Sequence, residues 1–202
     1  SYFYQGVSAL NNRKWESLGN ITSDLPGTFM GYDVSLSGSG NLLSIGEPAR
    51  NFIAGRCAVY ERREAWFRVS VHDGSQQGMA MGWTCHLQRD ARRIVLGAPG
   101  FNNGLGFVEV YEDDSTGQWK QKGFSYGPSF LSSFGFSAEF FPSDGLNNNN
   151  AFAVLVGAPY ARDGTGTGKG EIYSFVYISG NWQPLAPTII GDSAGDEFGS
   201  GT

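Results

Sequence analysis

The 202-residue chain is 40% apolar and 14% aromatic, with thirty glycines and only 16% charged residues. That is enough apolar material for one sizeable core, in the composition of a turn-rich β protein. The formal net charge of −5 argues against the basic face expected of a nucleic-acid-binding protein, and the absence of any run of 18 apolar residues leaves no candidate membrane span.

The chain opens on Ser1-Tyr2-Phe3-Tyr4, which is neither an initiator methionine nor a signal peptide, so a processed or longer polypeptide is expected. An alternating run near Tyr2 to Leu10, a turn at Asn11-Asn12 and a strand through Trp15 to Leu18 read as the second half of a β unit. Residues 29–77 read as a full unit, with strands near 31–36, 42–46, 55–61 and 66–70 and a hairpin turn at Gly38-Ser39-Gly40-Asn41. Residues 78–130 repeat it, with charged turns at 89–93 and 113–117. Residues 131–187 form a third unit, carrying polar insertions at 142–150 and 162–170. Residues 188–202 read as the first strand of a further unit.

The repeat is measurable on two rulers. Trp15, Trp66, Trp119 and Trp182 are 51, 53 and 63 residues apart, while Gly31, Gly82, Gly135 and Gly199 are 51, 53 and 64 apart. From each tryptophan to the next unit's glycine the distance is 16, 16, 16 and 17 residues, whereas from that glycine to the Gly-x-Pro it is 15, 15 and 22. A segment held to length is expected to be the crossing packed between neighbours, and the variable one a solvent-facing tip. Four short strands per fifty-residue unit, with no helical periodicity, predict an all-β chain that is a partial β-propeller of antiparallel four-stranded blades.

The phrases Phe134-Gly135 and Phe198-Gly199, with Gly97-Ala98-Pro99 and Gly157-Ala158-Pro159, make the chain resemble FG-GAP repeat proteins, the integrin-α-like propellers. Met30-Gly31, Met81-Gly82 and Gly46-Glu47-Pro48 depart from the pattern as apolar-for-apolar or surface-type swaps. The resemblance implies extracellular or secretory-lumen residence and a ring of about seven blades. This chain would hold three full blades and two partial ones. Its open edges would then be covered by a longer chain or by a protein partner.

Integrin-type blades often hold calcium in the first hairpin, where several carboxylates converge. The corresponding loops 37–41, 88–93 and 141–147 contain at most one carboxylate each, so neither Asp90 nor Asp144 is expected to bind calcium. Asp192, Asp196 and Glu197 read as a solvated turn. The loop from Gly164 to Lys169 fails as a phosphate loop, since its spacing is one short, Gly170 replaces the hydroxyl residue and no helix follows. His72 and His86 belong to no recognisable triad, and His86, next to Cys85 on an innermost strand, reads as channel-lining. Cys57 and Cys85 fit either one disulfide between neighbouring repeats or two buried thiols, and the thiols are the preferred reading because unpaired cysteine is commonly a small core residue. The sequon Asn20-Ile21-Thr22 decides nothing alone.

No catalytic, metal or cofactor residue is therefore expected. The sequence points to a non-catalytic binding or scaffolding module for a protein, or for a glycan, with no nucleic acid and no membrane span in this segment. A propeller enzyme of lyase or hydrolase type, its channel site completed by other blades, is the alternative, and a structural subunit of a larger assembly is a third class.

Overall fold

The computed structural model describes residues 2–7, 14–141, 151–162 and 166–201. The turn at Asn11-Asn12, the insertion 142–150 with Asp144, and residues 163–165 of the third unit's second loop lie outside them. Strands β1 (Tyr2–Val7) and β2 (Lys14–Asn20) pair with each other in a two-stranded sheet. Three four-stranded antiparallel units follow in chain order. The first contains β3 (Val34–Leu36), β4 (Leu42–Gly46), β5 (Arg56–Arg62) and β6 (Trp66–Asp73). The second contains β7 (Thr84–Leu87), β8 (Arg93–Gly97), β9 (Phe107–Asp113) and β10 (Trp119–Tyr126). The third contains β11 (Ser137–Phe141), β12 (Phe152–Ala158), β13 (Glu171–Ile178) and β14 (Asn181–Pro184). These are β-propeller blades.

Three details differ from the sequence reading, the simplest being that the fourth strand of the first blade runs on from 70 to Asp73. The first strand of the first blade begins at Val34, because Gly31 and Tyr32 are spent in the turn that enters it. The outer strand of the third blade is broken after Pro184 and resumes as β15 (Ile189–Ile190), which pairs with β13 at Glu171 and Ile172. The third blade therefore runs through Ile190 rather than ending at 187.

The recurring glycines have a steric cause. A Cβ on Gly46 would sit 2.0 Å from the carbonyl oxygen of Gly82, and one on Gly97 would sit 2.1 Å from that of Gly135. The glycine of each Gly-x-Pro thus touches the glycine that opens the next blade. Isolated parallel bridges, Gly55 to Met81, Gly106 to Phe134 and Gly170 to Phe198, repeat beside these contacts. Motif spacing along the chain is blade spacing in space.

Apolar side chains are buried chiefly between blades. Cys57, Val59, Met81, Leu87, Ile94 and Leu96 fill the joint of the first and second blades, while Val108, Val110, Phe134, Phe140, Phe152 and Val154 fill the joint of the second and third. Trp66, Trp119 and Trp182 pack at the margins of successive clusters, as the shared register predicts. Burying such side chains contributes about 1.5–3 kcal/mol each, which is why single sheets of this kind stack.

Cys57 and Cys85 form a disulfide, with Cα atoms 6.0 Å apart, across the first joint. This corrects the preference for free thiols. The corresponding pair in the next joint is Val108 and Ala138, both buried, so the cystine occupies a slot that a small apolar pair fills elsewhere.

Candidate binding face at one end of the blades

Because each blade is an antiparallel meander, the turns after its second strand lie at the same end as the crossing to the next blade. Backbone bonds tie the two sets of loops together: the amide of Ala80 donates to the Ile53 carbonyl at 2.7 Å, and that of Ser133 donates to the Gly104 carbonyl at 2.8 Å. This end forms a continuous face.

Several of its exposed residues are large and apolar. Phe52 is 81% exposed, and Ile53, Phe29, Phe130 and Leu131 are also exposed. Four of the five stand in left-handed backbone: Phe29 (φ 56°), Phe52 (φ 57°), Ile53 (φ 64°) and Leu131 (φ 63°). In the second blade the positions matching Phe52 and Ile53 are Asn103 and Gly104, and the position matching Leu131 is Gly78, residue types suited to that conformation. A side chain other than glycine there costs about 1–2 kcal/mol. The sequence reading missed this. The signal was available in the alignment of Asn51-Phe52-Ile53 with Asn102-Asn103-Gly104.

The turn that presents Phe52 is anchored by charge. Arg50 is buried, its Nη1 lying 3.0 Å from Glu47 Oε2 and 2.7 Å from Asp24 Oδ1, and Ser23 donates to Glu47 at 2.9 Å. Arg50 holds the Asp24 carboxyl down at about 2 by hydrogen bonding, and Asp24 in turn raises the guanidinium pKa. Glu47 is 2% exposed, so the Glu-for-Ala departure is not a surface-type swap. It is compensated by Arg50, where the other blades have Phe101 and Ala161 opposite Ala98 and Ala158.

Nearer the axis, the residue after each blade's opening glycine is aromatic. Tyr32 and Trp83 have ring centroids 4.5 Å apart, Trp83 and Phe136 5.1 Å, and Phe136 and Tyr160 6.4 Å. Tyr32, Trp83 and Phe136 of this arc rim a cavity of about 500 Å³ that also includes Asp33, His86 and Glu139. A second cavity, of about 870 Å³, reaches the opposite end through Ser35, His86, Arg89, Asp90 and Glu139. His86 therefore faces the channel while Cys85 is buried, as the sequence predicts. Asp33 is engaged in the scaffold, accepting the Cys85 amide at 2.7 Å.

The remaining loops are placed as follows. Asp90 accepts the amide of Arg92 at 3.0 Å within its own turn, and Arg93 is buried with its guanidinium 4.4 Å over the Phe152 ring. Asp196 accepts the Ser193 amide at 2.7 Å, and Lys169 accepts the Phe198 amide on its carbonyl. Asn20 is exposed at the end of β2. Among the described residues, no three His, Cys, Asp or Glu side chains converge as a metal site would require.

No family model matches the chain, and no curated protein is significantly similar to it. Among solved structures, a candidate 6-phosphogluconolactonase from Bacteroides fragilis is 14% identical with a TM-score of 0.54, over 85% of this chain and 42% of its own length. TolB from Acinetobacter baumannii is 15% identical (TM-score 0.44, 85% and 34% covered). The β-propeller domain of the trilobed protease from Pyrococcus furiosus is 9% identical (TM-score 0.44, 89% and 47% covered). The chain thus spans less than half the length of each of these. At such identities the likeness is one of fold alone.

Proposed function

We propose that this chain is a non-catalytic β-propeller binding module, of FG-GAP type with blades lacking calcium loops, that docks a protein partner on the face carrying Phe29, Phe52, Ile53, Phe130 and Leu131. The observation that supports this reading is the coincidence of exposure with left-handed backbone. Exposed apolar side chains at positions where asparagine or glycine would relieve strain are unfavourable for the isolated fold, and a contact made by those side chains accounts for them. The disulfide favours an oxidising compartment, extracellular or secretory. The neighbouring arc of Tyr32, Trp83 and Phe136 extends the same face with rings of the kind that anchor interfaces or stack on sugars.

The test copies the second blade into the first, as Phe52→Asn with Ile53→Gly. Strain relief set against the extra flexibility of glycine should stabilise the fold by about 1 kcal/mol, or roughly 2–4 °C for a domain of this size. The variant should also lose the partner that the parent recovers by cross-linking in its native setting. A variant that keeps the partner, or that is less stable than the parent, overturns the reading. An enzymatic alternative has its support in His86 and Glu139, which line one channel. It requires turnover that disappears in His86→Gln.

A further inference from the structure

The two interblade joints are built alike but filled differently. In the first, His72 on β6 packs its ring 4.1 Å from that of Tyr111 and edge-on to Trp119 at 6.5 Å, with Ser70 Oγ 3.1 Å from its Nε2. Register pairing places Ser70 opposite Val59 and Gly123 opposite Val110. The second joint therefore has Gly123 where the first has Ser70, and Ser125 where it has His72. With a hydroxymethyl in place of an imidazole, the space is left open.

That space is a cavity of about 220 Å³ whose lining includes Val110, Gly123, Ser125, Val154, Phe175 and Trp182. One polar hydrogen on its wall is unused. Trp182 Nε1 is buried and has no hydrogen-bond partner among the described residues. It stands directly over Gly123, where a Cβ would come within 1.8 Å of it. A buried donor left unpaired is destabilising by about 1–3 kcal/mol, and the cavity is larger than the roughly 150 Å³ apolar space that holds benzene.

We propose that the joint between the second and third blades is a binding site for a compact apolar molecule, of about two fused rings in size, that carries one hydrogen-bond acceptor. The hydrocarbon body lies against Val110, Val154 and Phe175, and its carbonyl or ether oxygen accepts from Trp182 Nε1. The site is separate from the protein-binding face, because it lies between the β-sheets rather than on their connecting turns.

The probe is 2-acetonaphthone, with naphthalene as the partner lacking an acceptor. The ketone should shift one indole N–H resonance and raise the melting temperature in a dose-dependent way, with naphthalene at least tenfold weaker. Trp182→Phe keeps the ring and removes the donor, so it should bring the ketone down to the affinity of naphthalene. Ser125→His, which copies the first joint, should block both probes while the protein stays folded. If that variant does not fold, Trp182→Phe decides the matter alone. Equal binding of ketone and hydrocarbon, an unchanged affinity in Trp182→Phe, or no indole shift at the solubility limit of the ketone each overturns the proposal. None of these outcomes depends on the docking of a protein partner.

Discussion

His72 should make the joint between the first two blades acid-sensitive. Its ring is buried, and burial pushes the imidazole down from 6.5 to about 4, with Asp73 opposing part of the shift. Between those two values the unfolded chain binds a proton that the folded chain does not. The stability due to the neutral ring is therefore complete above pH 6.5 and is lost as the pH falls towards 4, at up to about 1.4 kcal/mol per pH unit. Integrated from pH 7 to pH 4.5, the loss is roughly 2.5 kcal/mol. A neutral Nε2 can also accept from the Ser70 hydroxyl, which a protonated ring cannot. Urea unfolding at pH 7.0, 5.5 and 4.5, compared between the parent and His72→Gln, cancels the background from carboxylates. The parent should lose about 2–3 kcal/mol more than the variant. Parallel pH profiles would refute the reasoning, as would an imidazole that titrates near 6.5 in the folded protein.

The disulfide and the buried ion pair give two further tests. The Cys57–Cys85 bridge closes a loop with a sequence separation of 28, for which loop-closure entropy predicts a loss of about 3–4 kcal/mol on removal. Cys57→Val with Cys85→Ala, copying Val108 and Ala138, should lose less than the double alanine variant in chemical denaturation, because packing is retained. Glu47→Ala alone leaves Arg50 buried with only its exposed partner Asp24 and should cost about 3 kcal/mol. Adding Arg50→Ala, which reproduces Ala158 and Ala161, should recover most of it, and a double variant no more stable than the single one would contradict the compensation.

Strand number, blade order and the identity of the inner strands were legible because each motif glycine is a contact between neighbouring blades, so its spacing had to repeat. The burial of Glu47 was not legible, since its charge is compensated by Arg50, which is held in turn by Asp24, a residue outside the repeat motif. Cystine formation was equally hidden: Cys57 and Cys85 meet across a joint whose geometry no CxxC spacing encodes. The resumption of the third blade's outer strand at Ile189 was missed because the unit was closed at 187, before the chain returns to pair with Glu171 and Ile172. The aromatic arc could have been found, for Tyr32, Trp83 and Phe136 each follow an opening glycine. What a linear reading does not supply is that successive first strands converge on one axis.

The first and second blades are joined by a disulfide, by Asp33 and Ser35 accepting the amides of Cys85 and Leu87, and by an amide of Gly38 donating to Arg89. Across the next joint, among the described residues, the ties are non-covalent: the Thr84 hydroxyl to the Phe136 carbonyl at 3.0 Å, the Ser133 amide to the Gly104 carbonyl, and Arg93 over the Phe152 ring. Loaded in tension, the row of blades therefore has one covalently welded seam and one held by non-covalent contacts. A force strong enough to part the blades would separate the third from the second, leaving the first two as one mechanical body until the cystine is reduced.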